Sequence, residues 1–157
     1  EEVLADPRVA LAGERRDVGF EGPVWDAAAR DARVIALEFD VYHLSSTANL
    51  YVVAPGSIAV HLRIIEPGEL RRGDSLLGVL GKGWNRIRIV ADRLQGTGQA
   101  YVVDLDNPGQ TALPATFTFR ESLGSWEEAR IRFMHAVFPD RPVEIYYDNF
   151  KVWIVEE

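Results

Sequence analysis

Val143-Glu-Ile-Tyr-Tyr-Asp-Asn-Phe-Lys-Val-Trp-Ile-Val155 is a run of β-branched and aromatic residues broken in its middle by an Asp-Asn pair. Such residues fit a pleated, half-buried surface, so the stretch reads as a β-strand with a polar kink, apolar on both sides and therefore central in its sheet. Similar segments precede it at Val34 to Tyr42, Asn49 to Val53, Ser57 to Ile65, Trp84 to Ala91, Gln99 to Leu105, Thr116 to Arg120 and Ala129 to His135. Pro55-Gly56, Pro67-Gly68, Gly81-Lys-Gly83, Gly96-Thr-Gly98 and Asn107-Pro-Gly109 punctuate them with residues that accept turn geometry at little cost. Strands at this spacing favour a sandwich or barrel over a βαβ arrangement.

Helical pattern is scarce. Asp26 to Arg33 has room for a turn or two, and Ser125-Trp-Glu-Glu resembles a capping box with too little length behind it. Arg8 to Leu11 and Val18 to Phe20 read as further strands, pairing late with the last one. Leu70-Arg-Arg-Gly-Asp74 reads as solvated loop.

Period-two alternation sorts the strands into two sides. Ile35, Leu37, Phe39 and Val41 alternate with Ala36, Glu38, Asp40 and Tyr42; Ile58, Val60, Leu62 and Ile64 with Ala59, His61 and Arg63; Ile87 and Ile89 with Trp84, Arg86 and Arg88; Ile131 and Phe133 with Arg130, Arg132 and Met134. A sheet packed on one face and wet on the other produces this pattern, which predicts a two-sheet antiparallel jelly-roll sandwich. All 157 residues are assigned to one domain, 1–157, a size that buries about 70% of the surface its unfolded chain exposes.

If the polar sides share a sheet, they bring together Glu38, Asp40, Tyr42, His61, Arg63, Arg86, Arg88, Arg130 and Arg132. One reading is a ladder of cross-strand ion pairs on a solvated surface, each worth about 0.2 to 1 kcal/mol. The other is a groove whose charged groups hydrogen-bond hydroxyls while Tyr42 and Trp84 stack on sugar rings. Trp126 and Phe138, beside polar loop residues, are candidates for exposed stacking platforms. Asp148 and Asn149 read either as a bulge that caps local backbone groups or as the mark of a hard cation such as calcium, which would take oxygen ligands from Asp148, an acid such as Glu21, and backbone carbonyls. Asp104-Leu-Asp106-Asn107 is an oxygen-rich turn without the spacing of a calcium-binding loop.

The net charge of −7 argues against a nucleic-acid backbone as partner. Without cysteine there is neither a disulfide framework nor a thiolate metal site. No apolar run approaches the roughly 20 residues of a membrane-spanning helix, and Glu1-Glu-Val-Leu4 lacks the character of a signal peptide.

Gly83-Trp-Asn-Arg-Ile-Arg-Ile-Val-Ala-Asp92, Gln99-Ala-Tyr-Val-Val-Asp104 and Tyr147-Asp-Asn-Phe-Lys-Val152 together resemble the second half of concanavalin A-like lectin/glucanase domains, laminin G-like modules included. The resemblance covers roughly residues 84–153. It implies a jelly roll that is often extracellular or at the cell surface, often glycan-binding and frequently stabilised by calcium. Glycosidases of this superfamily carry Glu-x-Asp-x-x-Glu on one strand. Here Glu38-Phe-Asp40-Val-Tyr-His43 puts a histidine in the third place, so the acid that protonates the leaving group is missing. A lyase-like use of Tyr42, His61 and Arg63 is the other catalytic option.

The expectation is thus a non-catalytic, lectin-like module binding a glycan through Glu38, Asp40, Tyr42, His61, Arg63, Arg86, Arg88 and Trp126. The alternatives are a subunit of an extracellular assembly, a homo-oligomer included, joined through strand edges or an N-terminal segment, and a glycan-degrading hydrolase or lyase.

Overall fold

A computed structural model of the chain describes residues 16–21, 31–43, 47–54, 57–109, 113–121, 123–126, 130–137 and 145–155. They form β1 (Arg16–Glu21), β2 (Val34–His43), β3 (Ala48–Ala54), β4 (Ser57–Ile65), β5 (Glu69–Arg72), β6 (Ser75–Val79), β7 (Trp84–Asp92), β8 (Thr97–Asp104), β9 (Ala115–Thr118), β10 (Arg130–Val137) and β11 (Ile145–Ile154). No helix occurs among the described residues, so none there is long and apolar enough to cross a membrane. The helical turn expected at Asp26 to Arg33, the strand at Arg8 to Leu11 and the platform at Phe138 lie wholly or largely outside the described residues.

A six-stranded sheet runs β1-β10-β3-β4-β5-β6 and a five-stranded sheet runs β11-β2-β7-β8-β9. Every pairing is antiparallel. The chain changes sheets after β1, β2, β6, β9 and β10, which makes a two-sheet antiparallel jelly-roll sandwich.

Alternation builds the core. Ile35, Leu37, Phe39 and Val41 of β2, Ile87 and Ile89 of β7 and Val102 of β8 meet Leu50, Leu62, Ile64, Leu70 and Leu77 from the other sheet in one buried cluster. Each such side chain contributes about 1.5–3 kcal/mol of transfer free energy. The layers approach closely at Gly78 of β6, where a Cβ would lie 2.6 Å from Val102 Cγ2.

Three features differ from the sequence expectation. β11 is an edge strand hydrogen-bonded only to β2 among the described residues, not a central one. It looks apolar on both sides because its register shifts between Asp148 and Lys151, opposite Phe39, and because Trp153 and Ile154, each 37% exposed, remain partly open to water. β1 pairs with β10, not with the last strand. Leu70-Arg-Arg-Gly-Asp74, expected as loop, holds β5 and the turn of a hairpin, with Arg72 opposite Ser75 and Gly73 at φ +57°. That backbone suits glycine as the first central residue of a two-residue turn, and Leu70 and Leu77 are the side chains the hairpin buries.

Candidate functional site

The polar residues expected on one sheet are divided between two. Glu38, Asp40 and Tyr42 lie on β2 and Arg86 and Arg88 on β7, in the five-stranded sheet; His61 and Arg63 lie on β4 in the six-stranded sheet, as β10 with Arg130 and Arg132 does. Period two decides which side of a strand a residue takes, but not which layer the strand joins. Glu38, Asp40, Arg86 and Arg88 therefore stand on the outer face opposite that of His61 and Arg63, across a core about 10 Å thick. No single groove contains them.

On the five-stranded sheet the register places Glu38 opposite Arg88 and Asp40 opposite Arg86. Arg88 meets Glu38 Oε2 through Nε at 2.8 Å and Nη2 at 2.7 Å. Arg86 grips Asp40 with both prongs, Nε to Oδ1 at 2.7 Å and Nη2 to Oδ2 at 3.0 Å. Asn149 Nδ2 adds a third bond to Asp40 Oδ2 at 2.8 Å. Burial by itself raises the Asp40 pKa, but the hydrogen bonds from Arg86 and Asn149 and the charges of Arg86 and Lys151 outweigh it and hold it below its ordinary value. The carboxylates, 5% and 3% exposed, are closed beneath their arginines, so this face is the ion-pair ladder of the first reading. Beyond it, Tyr42 stands edge-on between Trp84 at 5.6 Å and Tyr146 at 6.3 Å. At the other end Arg88 lies 5.4 Å over the Trp153 ring.

Asp148 and Asn149 have the geometry of a bulge. Asn149 takes φ +52°, and Asp148 Oδ1 accepts its backbone N–H at 2.8 Å. Glu21 ends β1 in the other sheet, and its side chain lies outside the described set. Among the described residues no group of three or more His, Asp or Glu side chains is placed to hold a metal ion. In the Asp104 turn, Asp104 Oδ1 accepts the Asp106 N–H at 2.9 Å.

Trp126 is not an exposed platform: it is 0% exposed and its indole N–H donates to Ala32 O at 2.9 Å. An indole beside a core edge gains more by burying its large apolar surface than by facing water, provided its one donor finds an acceptor. His43 is buried and alternates to the core side of β2, away from Glu38 and Asp40, so the glucanase-like triplet does not converge. Tyr42 sits on the opposite face from His61 and Arg63, so the lyase-like trio does not assemble.

The outer face of the six-stranded sheet holds a second group. Tyr51 is the register partner of His61, and Asn49 of Arg63, on neighbouring strands β3 and β4. The Tyr51 and His61 rings stack at 4.5 Å and 23°, and His61 Nε2 lies 3.0 Å from Asn49 Oδ1. All four side chains are half-buried. Burial first, then the charges of Arg120, Arg63 and Arg72, pushes the His61 pKa below its ordinary value. Asn49 and Tyr51 were legible only as strand residues, because their link to His61 is a pairing register. Buried Asn85 was also missed; its side chain bonds Gly81 N and O and Gly83 O at 2.8–3.0 Å, fixing the loop that delivers Trp84.

No family profile and no curated protein matches this chain. Among solved structures, a galectin of Caenorhabditis elegans is similar at 10% identity and TM-score 0.43, over 94% of this chain and all of that one. A functionally unknown protein of Saccharomyces cerevisiae is similar at 12% identity and TM-score 0.47, over 89% of this chain and 75% of that one. At such values neither likeness bears on function.

Proposed function

We propose that this chain is a non-catalytic carbohydrate-binding module whose recognition surface is the outer face of the six-stranded sheet around His61. The observation that carries this reading is the quartet Asn49, Tyr51, His61 and Arg63, held as two facing register pairs with a stacked ring pair at its centre. A sugar offers an apolar ring face and a rim of hydroxyls; half-buried rings flanked by amide and guanidinium groups complement both. Hydrolysis needs two carboxyl groups flanking the scissile bond, and among the described residues the carboxylate on β5, the strand beside His61 and Arg63, is Glu69, which is held by Arg71 at 2.7 Å.

Affinity electrophoresis through gels containing polysaccharides tests this. Tyr51→Ala and Arg63→Ala should each weaken retardation, while Tyr42→Ala on the opposite face leaves it unchanged. Loss of binding in Tyr42→Ala with retention in Tyr51→Ala would place recognition on the other sheet and refute the assignment.

A second reading, association through a strand edge, is favoured by β6, which ends the six-stranded sheet and carries Leu76 at 49% and Val79 at 63% exposure. Light scattering on Val79→Lys tests it: a mass that was above the monomer and falls to it supports the edge, and a monomer in both proteins removes it.

A further inference from the structure

The charge around His61 is at odds with the rest of the chain. The protein carries −7 overall, and on the five-stranded sheet Arg86 and Arg88 each meet a carboxylate. On the six-stranded side, Arg63, Arg72 and Arg120 form no ion pair among the described residues. Arg63 donates one long bond of 3.3 Å to Gly73 O, and Arg72 Nε donates to Thr118 O at 3.1 Å. Arg120 is tied to the sheet by its backbone, its N–H donating to Ala59 O at 2.7 Å, two residues before His61 on β4. Its side chain is exposed.

Hydrogen bonds bring the three together: Arg63 reaches Gly73, the residue after Arg72; Arg72 reaches Thr118, two residues before Arg120; and the Arg120 backbone is bonded to Ala59 on the strand that carries His61 and Arg63. No local acid of the described residues is ion-paired with them. Glu69 is taken by Arg71, and the exposed Asp74 and Glu121 form no ion pair among the described residues. Clustered guanidinium groups that no carboxylate of the described residues pairs with, in an acidic protein, mark a surface fitted to a negative partner. A guanidinium fork matches the paired oxygens of a carboxylate or sulfate.

We infer that the ligand is an acidic polysaccharide, with Arg63, Arg72 and Arg120 seating its carboxylate or sulfate groups beside the Tyr51–His61 ring pair. The sugar half of this statement rests on the function proposed above; the anionic half rests on the unpaired arginines.

The test is gel retardation of the whole chain by polygalacturonate, heparin, neutral dextran and neutral β-glucan, with polyphosphate as a sugar-free competitor. Retardation by an acidic glycan, absent with both neutral ones, should fall by about tenfold in Arg120→Gln, the loss characteristic of one charge-assisted bond. It should vanish in the triple variant Arg63→Gln/Arg72→Gln/Arg120→Gln. Arg120→Gln isolates the effect even if the triple variant misfolds, since its side chain makes no hydrogen bond or ion pair among the described residues. The His61 imidazole signal should titrate at higher pH with oligogalacturonate bound, because an anion offsets the arginine charges. Equal retardation by neutral and acidic glycans would overturn the anionic inference and leave the carbohydrate reading standing. Binding of polyphosphate with no retardation by any glycan would overturn the carbohydrate reading, and the inference with it. No retardation and no competition would overturn both.

Discussion

Replacing Arg86 by alanine should cost more stability than replacing its partner Asp40, although either change breaks the same pair. Asp40 is 3% exposed and accepts three hydrogen bonds, two of them from Arg86 at 2.7 and 3.0 Å. Arg86→Ala leaves a buried carboxylate with Asn149 as its remaining donor. Stranding one member of a fully buried pair costs about 3–5 kcal/mol. The Arg86 side chain is 38% exposed, so water reaches the vacated side and the figure falls to about 2–3 kcal/mol. Asp40→Ala instead leaves a guanidinium that water already touches and that lies 3.8 Å from Glu38, a loss of about 1 kcal/mol. At about 2–4 °C per kcal/mol for a chain of this size, Arg86→Ala should melt about 4–12 °C below the parent.

The pH dependence supplies the sign. The folded Asp40 pKa is depressed, so the pair stabilises the fold above the unfolded value of about 3.9 and loses that contribution as pH falls through the folded pKa. In Arg86→Ala, burial acts with less opposition and raises the Asp40 pKa, so the carboxylate is protonated early and the gap to the parent narrows between about pH 7 and 4. Urea unfolding at several pH values measures both effects. An Asp40→Ala loss equal to or greater than that of Arg86→Ala, or a gap indifferent to pH, would refute the view that this carboxylate is a buried charge neutralised from above.

Trp126→Ala should cost about 3–5 kcal/mol in urea unfolding and leave glycan retardation unchanged; a stable variant with weakened binding would restore the tryptophan to the ligand surface. Asn149→Ala should be less stable than Asn149→Gly by about 1 kcal/mol, since both lose the bond to Asp40 but alanine alone is strained at φ +52°; equal melting points would remove the strain. The lowered His61 pKa means the unfolded chain binds that proton more tightly, so stability should decline as pH falls through about 6.5 toward the folded value. His61→Gln should flatten that part of the stability–pH curve, and an unchanged slope would place its origin elsewhere.

Alternation in Val34 to Tyr42, Ser57 to Ile65 and Trp84 to Ala91 was sufficient to define strands and their buried sides, since a two-residue period is a local property of the backbone. Layer membership was not legible. Glu38 and Arg63 alternate in the same way, and only hydrogen bonding between β2 and β7, and between β3 and β4, sends them to opposite faces. The β5–β6 hairpin escaped because its strands are short, β5 is charged at Glu69, Arg71 and Arg72, and the pair buries little beyond Leu70 and Leu77. Arg120 was legible only as the end of the Thr116 to Arg120 segment; its place near His61 follows from a backbone bond to Ala59. The Asp148-Asn149 break was visible as a kink, while its partner Asp40 was hidden by distance along the chain.

That distance sets a hazard during synthesis. Asn149 lies 109 residues beyond the Asp40 it bonds, and β11 is the neighbour that covers one flank of β2. At about 5–20 residues per second of translation, a nascent β2 rich in Ile, Leu, Phe and Val waits some 5–20 seconds with that flank unzipped. Throughout the interval it is a template for any extended segment of a neighbouring polysome product, so chaperone demand for this protein should peak before the ribosome delivers its closing strand.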